Sequence, residues 1–167
     1  NVIDFSGYVS GTGETGYTTL HDGQYDGPLV GDKRLPYARR TVTAPKTGAS
    51  TGWQATAYNY RALVTGAAGE ASTVSVYLRY TGPTPVRIRL RNQPYAAGGT
   101  NTPGFTDSAL TDLPSGQWVR LSATHTALAE FETIGWWAYL IGATSGDQIL
   151  PAGSTLDISG LLIEKSA

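Results

Sequence analysis

Cysteine is absent from this 167-residue chain. That excludes disulfides, a Cys-based zinc site and a thiol nucleophile, while leaving the redox compartment open. Charge is scarce as well: 15% of the residues are charged and the net charge is −1. This balance speaks against a nucleic-acid surface and gives no general attraction to a membrane. No run approaches the ~18 apolar residues of a membrane span. No basic n-region precedes an apolar stretch, so no signal peptide is expected. The first residue is Asn1 rather than Met, and one domain over residues 1–167, excised from a larger chain, is the expectation. Helical periodicity is missing too. No stretch keeps apolar residues at i, i+3, i+4 and i+7 for three turns, and "GAAGEAS" (66–72) is rich enough in glycine only for a turn.

Ten tyrosines and four tryptophans stand against three phenylalanines, and aromatics with a polar handle suit half-wet surfaces better than dry cores. Period-two alternation is clear. In "STVSVYLRY" (72–80), Val74, Val76 and Leu78 share one face, while Ser75, Tyr77 and Arg79 share the other. In "PVRIRLRN" (85–92), Val86, Ile88 and Leu90 alternate with Arg87, Arg89 and Arg91. Further strands read at 2–9, 39–44, 52–64, 117–126, 134–142 and 155–165. About eight to ten strands with turn signals between them predict an all-β, antiparallel β-sandwich or jelly roll. Residues 93–116 form the longest irregular stretch, and so long a loop on a β domain is often functional.

The segment "TGPTP" suits a five-residue hairpin between the strands at 73–80 and 85–92. Matched core faces would set Leu78 opposite Ile88 and Val76 opposite Leu90. The other face would then place Arg79 beside Arg87, Tyr77 beside Arg89 and Ser75 beside Arg91. Four arginines on one face require water, because unpaired buried charge is costly. Two readings stay open: a solvated face with arginines paired to carboxylates, or a groove whose planar donors bind hydroxyls or acid groups of a ligand.

"IGWWAYLIG" (134–142) divides in the same way. Ile134, Trp136, Ala138 and Leu140 make the more aliphatic face, which assigns Trp136 to the core and Trp137 with Tyr139 to the outside. Side chains two apart on a strand are ~6.5–7 Å apart, a spacing suited to stacking on a sugar ring or its neighbour. Exposed apolar surface usually marks an interaction site, although packing under loops or another chain would explain the same residues. Trp118 is expected to close one end of the core, and Tyr95, in the long loop, to lean over the groove as a clamp. The faces of Trp53, Tyr58 and Tyr60 are not assignable from their poor alternation.

Catalytic signals are weak. Most carboxylates fall in loops (Asp22, Asp26, Asp32, Asp107, Asp112, Asp147), and Glu130 with Glu132 form only a spaced pair near a strand start. His21 and His125 sit in no ligand-like cluster, and no nucleophile elbow or phosphate-binding glycine loop occurs. A glycosidase pair leaves no local motif, so catalysis is disfavoured rather than excluded.

The order "ASTVSVYLRYTGPTPVRIRL", "LPSGQWVRLSATHTA" and "LPAGSTLDISGLLIEKSA" resembles the carbohydrate-binding-module jelly roll of the family 4, 9 and 22 type. It is most similar to versions in minor tail and receptor-binding proteins of tailed bacteriophages. "NVIDFSG" and "RRTVTAPKTGASTGW" fit the same layout. The resemblance implies a non-catalytic domain that binds cell-surface or polymeric glycans for host attachment, in a virion tail or outside the cell. By position, the implied ligand face comprises Tyr77, Arg79, Arg87, Arg89, Arg91, Trp137 and Tyr139, and the long-loop Tyr95 joins them as the expected clamp. Other domains of a larger chain and a homo-oligomer are further expected partners; nucleic acid and membrane insertion are not. Many relatives hold a structural calcium through an acidic residue in the last strand. Here Ser159 and Gly160 occupy that place and Asp157 is displaced, so no cofactor is expected unless Asp157 or Glu14 serves with backbone carbonyls. Alternative uses are an oligomerising virion module, an accessory module of a secreted glycoside hydrolase, and a small lyase or hydrolase.

Overall fold

Alternation of apolar and polar residues carries most of the chain into strands, and a computed structural model describes residues 17–20, 26–47, 54–83, 85–141 and 148–166. The strands are β1 (Tyr17–Leu20), β2 (Leu29–Val30), β3 (Lys33–Arg34), β4 (Tyr37–Val42), β5 (Lys46–Thr47), β6 (Gln54–Gly66) and β7 (Ala71–Thr81). They continue with β8 (Val86–Tyr95), β9 (Thr106–Asp107), β10 (Thr111–Leu113), β11 (Trp118–Thr126), β12 (Phe131–Ile141), β13 (Gln148–Leu150) and β14 (Thr155–Ser166). One 3-10 turn, Ala97–Gly99, is the only helical element among the described residues. The strand expected at 2–9, with Glu14, His21, Asp22, Trp53 and Asp147, lies outside the described residues.

Two antiparallel sheets stack into a jelly-roll β-sandwich. Sheet I has the order β1-β4-β14-β7-β11. Sheet II has the order β10-β8-β12-β6, with β9 also on β8. Between them lie Val74, Val76, Leu78 and Tyr80 of β7, Val86, Ile88 and Leu90 of β8, and Ile134, Trp136, Ala138 and Leu140 of β12. Leu156, Ile158, Leu161 and Ile163 of β14 complete the layer. Among the polar groups buried with this core, Asn92 donates from Nδ2 to the carbonyls of Ser72 (2.9 Å) and Ala123 (3.2 Å) on the opposite sheet. It ties the two sheets at one end.

The expected hairpin between β7 and β8 does not form. The two strands belong to different sheets, and "TGPTP" carries the chain across the edge of the sandwich. Leu78 pairs with Ile158 and Val119, and Ile88 with Leu140 and Thr111. Pro85, immediately before β8, has no N–H to offer a hairpin ladder. Ser115 holds the crossover instead, accepting from Gly82 N (3.1 Å) and donating to Gly82 O (2.8 Å).

Residues 93–116 are also more ordered than expected. β8 runs on to Tyr95, and the chain then folds back along it as a broken edge strand. Asp107 and Thr106 lie opposite Arg91 and Asn92, and Thr111–Leu113 oppose Ile88–Val86.

Candidate ligand-binding face

Inward packing of β12 decides which of the adjacent tryptophans meets water. Trp136 is 1% exposed in the core, whereas Trp137 and Tyr139 are half-buried on the outer face of sheet II. Their ring planes lie within 2° of parallel, with centroids 6.5 Å apart. Gly135, on the same face, makes room for this arrangement: a Cβ there would come within 2.5 Å of Tyr95 and 2.8 Å of Trp137. Tyr95 therefore lies against the strand, 6.1 Å from the Trp137 ring. It is not the loop clamp expected from sequence. It is only 3% exposed, and Arg61 of β6 covers its ring at 3.6 Å.

A row of arginines on β8 runs beside the aromatic row of β12. In register, Arg91 neighbours Trp137, Arg89 neighbours Tyr139, and Arg87 neighbours Ile141. Asp107 of β9 orients two of them. Arg91 donates to it from Nε (2.7 Å) and Nη2 (2.9 Å), and Arg89 Nη1 lies 3.3 Å away. The guanidinium of Arg91 also stacks on Phe105 at 3.6 Å and stands 5.3 Å from the Tyr139 ring. Hydrogen bonding to Asp107 holds the Arg91 pKa above its ordinary value, and burial raises that of the Tyr139 hydroxyl. Both groups keep their neutral-pH forms. Arg87 is exposed, with Asp112 opposite it on β10.

This surface pairs flat apolar rings with oriented donors and one carboxylate acceptor. Such a set can cover the C–H face of a sugar ring while taking up its hydroxyls or acid groups. Six of the eight sequence-predicted residues share it: Arg87, Arg89, Arg91, Tyr95, Trp137 and Tyr139.

Tyr77 and Arg79 do not. They project from β7 on the outer face of sheet I, because β7 and β8 never pair. There Arg79 is 8% exposed and committed to other groups. Its Nε donates to Asp157 Oδ2 at 2.8 Å, and its Nη1 lies 3.0 Å from Asp26 Oδ2. Arg39 grips Asp157 from the other side at 2.7 and 3.0 Å. Hydrogen bonding to Arg79 holds the Asp26 carboxyl below the usual carboxylate range. Trp118, expected to close one end of the core, stands on this same outer face. It meets Tyr37 edge-on at 5.6 Å, lies under Arg79 and donates its indole N–H to Asp26 O at 3.1 Å. Tyr77 is half-buried beside Arg120, whose guanidinium is 5.2 Å from its ring.

Asp157 does not fit a calcium ligand. It is fully buried, and both carboxylate oxygens face guanidinium groups that would repel a cation. Among the described residues no group of three or more His, Asp or Glu converges as a metal site.

Arg61, Phe105 and Asp107 were missed as members of the face. Arg61 lies in a strand of poor alternation. Phe105 and Asp107 sit in the stretch that read as irregular, so nothing in the sequence paired Asp107 with Arg91, 16 residues earlier.

No protein-family model matches the chain, and no curated protein does. Solved structures do. The Clostridium thermocellum endo-1,4-β-D-xylanase 10B, as CBM22-1–GH10 modules complexed with xylohexaose, is 12% identical over 92% of this chain and 25% of its own, with a TM-score of 0.52. The arabinose-bound α-L-arabinofuranosidase MgGH51 is 10% identical over 90% of this chain and 23% of its own, with a TM-score of 0.54. The EclA C-terminal domain, described as a sugar-binding protein, is 19% identical over 84% of both chains, with a TM-score of 0.49. The chain thus spans about a quarter of the length of the two enzymes. At these identities the first two likenesses show a common β-sandwich fold.

Proposed function

We propose that this domain is a non-catalytic glycan-binding module whose site is the outer face of sheet II. The parallel pair Trp137 and Tyr139, half-exposed beside Arg89 and Arg91, carries this reading. Rings at this spacing offer stacking surface to a sugar or to two neighbouring sugars, and the arginines, oriented by Asp107, flank it with donors. Carbohydrate-binding modules among the structural neighbours support the same use of the fold. Asp107, opposite Arg91, is engaged by two arginines, which suits a binding role better than an acid or nucleophile.

Affinity electrophoresis in gels containing soluble polysaccharides tests the proposal. Wild type should be retarded by at least one polysaccharide, and Trp137→Ala and Tyr139→Ala should migrate freely. Wild-type retardation by both variants would place the site elsewhere. Release of reducing sugar during the same incubations would contradict the non-catalytic assignment.

Host attachment as part of a phage tail rests on the sequence resemblance, and pull-down by bacterial cell walls is its test. A competing use of the face is burial against another copy of the chain, which Leu63, 87% exposed on the same sheet, would favour. A stable oligomer that Trp137→Ala dissociates would support that use.

A further inference from the structure

We infer that the glycan taken by this face carries acid groups, an inference that rests on the glycan-binding reading of the same site. The chain as a whole is slightly acidic, with 12 Lys and Arg against 13 Asp and Glu. Its outer sheet II face departs from that balance. Arg61, Arg87, Arg89 and Arg91 stand there against Asp107 and Asp112 among the described residues. Asp107 is shared between Arg89 and Arg91. Arg61 and Arg87 are exposed and have no ion pair among the described residues. Asp112 lies opposite Arg87 in register without reaching salt-bridge distance.

The placement of these two arginines matters as much as the count. Arg61 lies opposite Gly135 and Arg87 opposite Ile141, so they bracket Trp137 and Tyr139 along β12. The bracketed length is about 20 Å at the usual rise of a strand, room for several sugar rings. All four cations are arginines. Their planar forks match carboxylate or phosphate oxygens in bidentate geometry, which a lysine point charge does not. On sheet I, by contrast, Arg39 and Arg79 close on Asp157 and Asp26, and Arg120 bonds the Ser75 and Tyr77 hydroxyls. Among the described residues, the sheet II face sets two exposed arginines without an ion pair, Arg61 and Arg87, beside a parallel aromatic pair, whereas the outer face of sheet I offers Arg120 beside the single ring of Tyr77.

The shared ligand chemistry is an anionic oxygen group on a sugar chain, supplied by a uronate or by a sugar phosphate. Four probes separate the outcomes: polygalacturonate, a phosphomannan, unsubstituted β-1,4-xylan and hydroxyethylcellulose. Wild type, Arg61→Gln, Arg87→Gln and Trp137→Ala are titrated with each by calorimetry at about 20 mM and about 300 mM salt, where screening of exposed charges differs strongly. One or both anionic probes should bind at least tenfold more tightly than the neutral ones. Each arginine variant should weaken that binding by roughly two- to fivefold, the size of an exposed ion pair, and Trp137→Ala should weaken it by about thirtyfold. Polygalacturonate against phosphomannan then identifies the acid group. Tighter or equal binding of a neutral probe, sensitive to Trp137→Ala but not to salt, would overturn the inference and leave glycan binding standing. Anionic binding unaffected by Trp137→Ala would be nonspecific charge attraction and would also overturn it. No binding of any probe would overturn both readings.

Discussion

Both outer faces of the sandwich carry arginines, aspartates and aromatic rings, and they differ in what is left for a ligand. On sheet I, Asp157 is fully buried between Arg39 and Arg79, Asp26 closes on Arg79, and Tyr37 and Trp118 pack over the group. On sheet II, Asp107 is shared by Arg89 and Arg91, Arg61 and Arg87 remain exposed, and Trp137 with Tyr139 keep part of their rings in water. Residue type does not separate the faces. Coverage does: Tyr37 and Trp118 close over one network, while the other leaves Arg61, Arg87, Trp137 and Tyr139 partly in water, as the proposed binding site requires.

The largest expected effect breaks the covered face. Asp157→Ala strands two guanidiniums, and removing one member of a buried ion-pair network costs about 3–5 kcal/mol. Calorimetric unfolding should show a melting point lower by roughly 10 °C for a chain of this size, while glycan affinity measured well below that temperature stays near wild type. Trp137→Ala should do the reverse. Glycan affinity should fall by about thirtyfold, as for a central aromatic hot spot, with a far smaller change in melting point.

Asp107→Ala sharpens the contrast between an ion pair that stabilises and one that orients. Freed from Asp107, Arg91 and Arg89 lose their fixed geometry, and affinity should drop about three- to tenfold, comparable to losing one ordinary hydrogen bond. Asp107→Asn keeps an acceptor and should recover part of the loss. If Asp107→Ala lowers the melting point as much as Asp157→Ala does, the two networks play the same structural role.

The smallest effect concerns His125, buried near the sandwich edge, where Thr106 Oγ1 meets its Nδ1 at 3.0 Å, one residue before Asp107. Burial lowers its pKa below the ordinary 6.5. The unfolded chain therefore takes up this proton first as pH falls. The corresponding stability is fully present above about pH 6.5 and is lost as pH drops through the lower folded value. Denaturant unfolding between pH 7 and pH 5, compared with His125→Gln, should show a gentler pH slope in the variant.

These two faces were only partly separable in sequence. The division of Trp136 from Trp137 was legible because Ile134, Ala138 and Leu140 share the parity of Trp136, and a sheet buried on one side leaves the other parity no choice. The positions of the long strands β7, β8, β11, β12 and β14 were legible for the same reason. The partner of β7 was not. Val74, Val76 and Leu78 satisfy their apolar face equally well beside Ile88 in one sheet or across the core from it, so alternation cannot distinguish a hairpin from a crossover. That ambiguity merged Tyr77 and Arg79 with the sheet II arginines. Asp107 was illegible for a different reason: its place depends on a two-residue strand formed only when the chain folds back on β8.

Amide chemical-shift mapping by NMR during titration with a glycan that binds tests the central claim most directly. The account predicts that the perturbed residues cluster at 61, 87–95, 105–107 and 135–141, with residues 37–39, 77–79, 118–120 and 157 unmoved. Perturbations centred on Tyr77, Trp118 and Arg120 instead would contradict it, making sheet I the binding face.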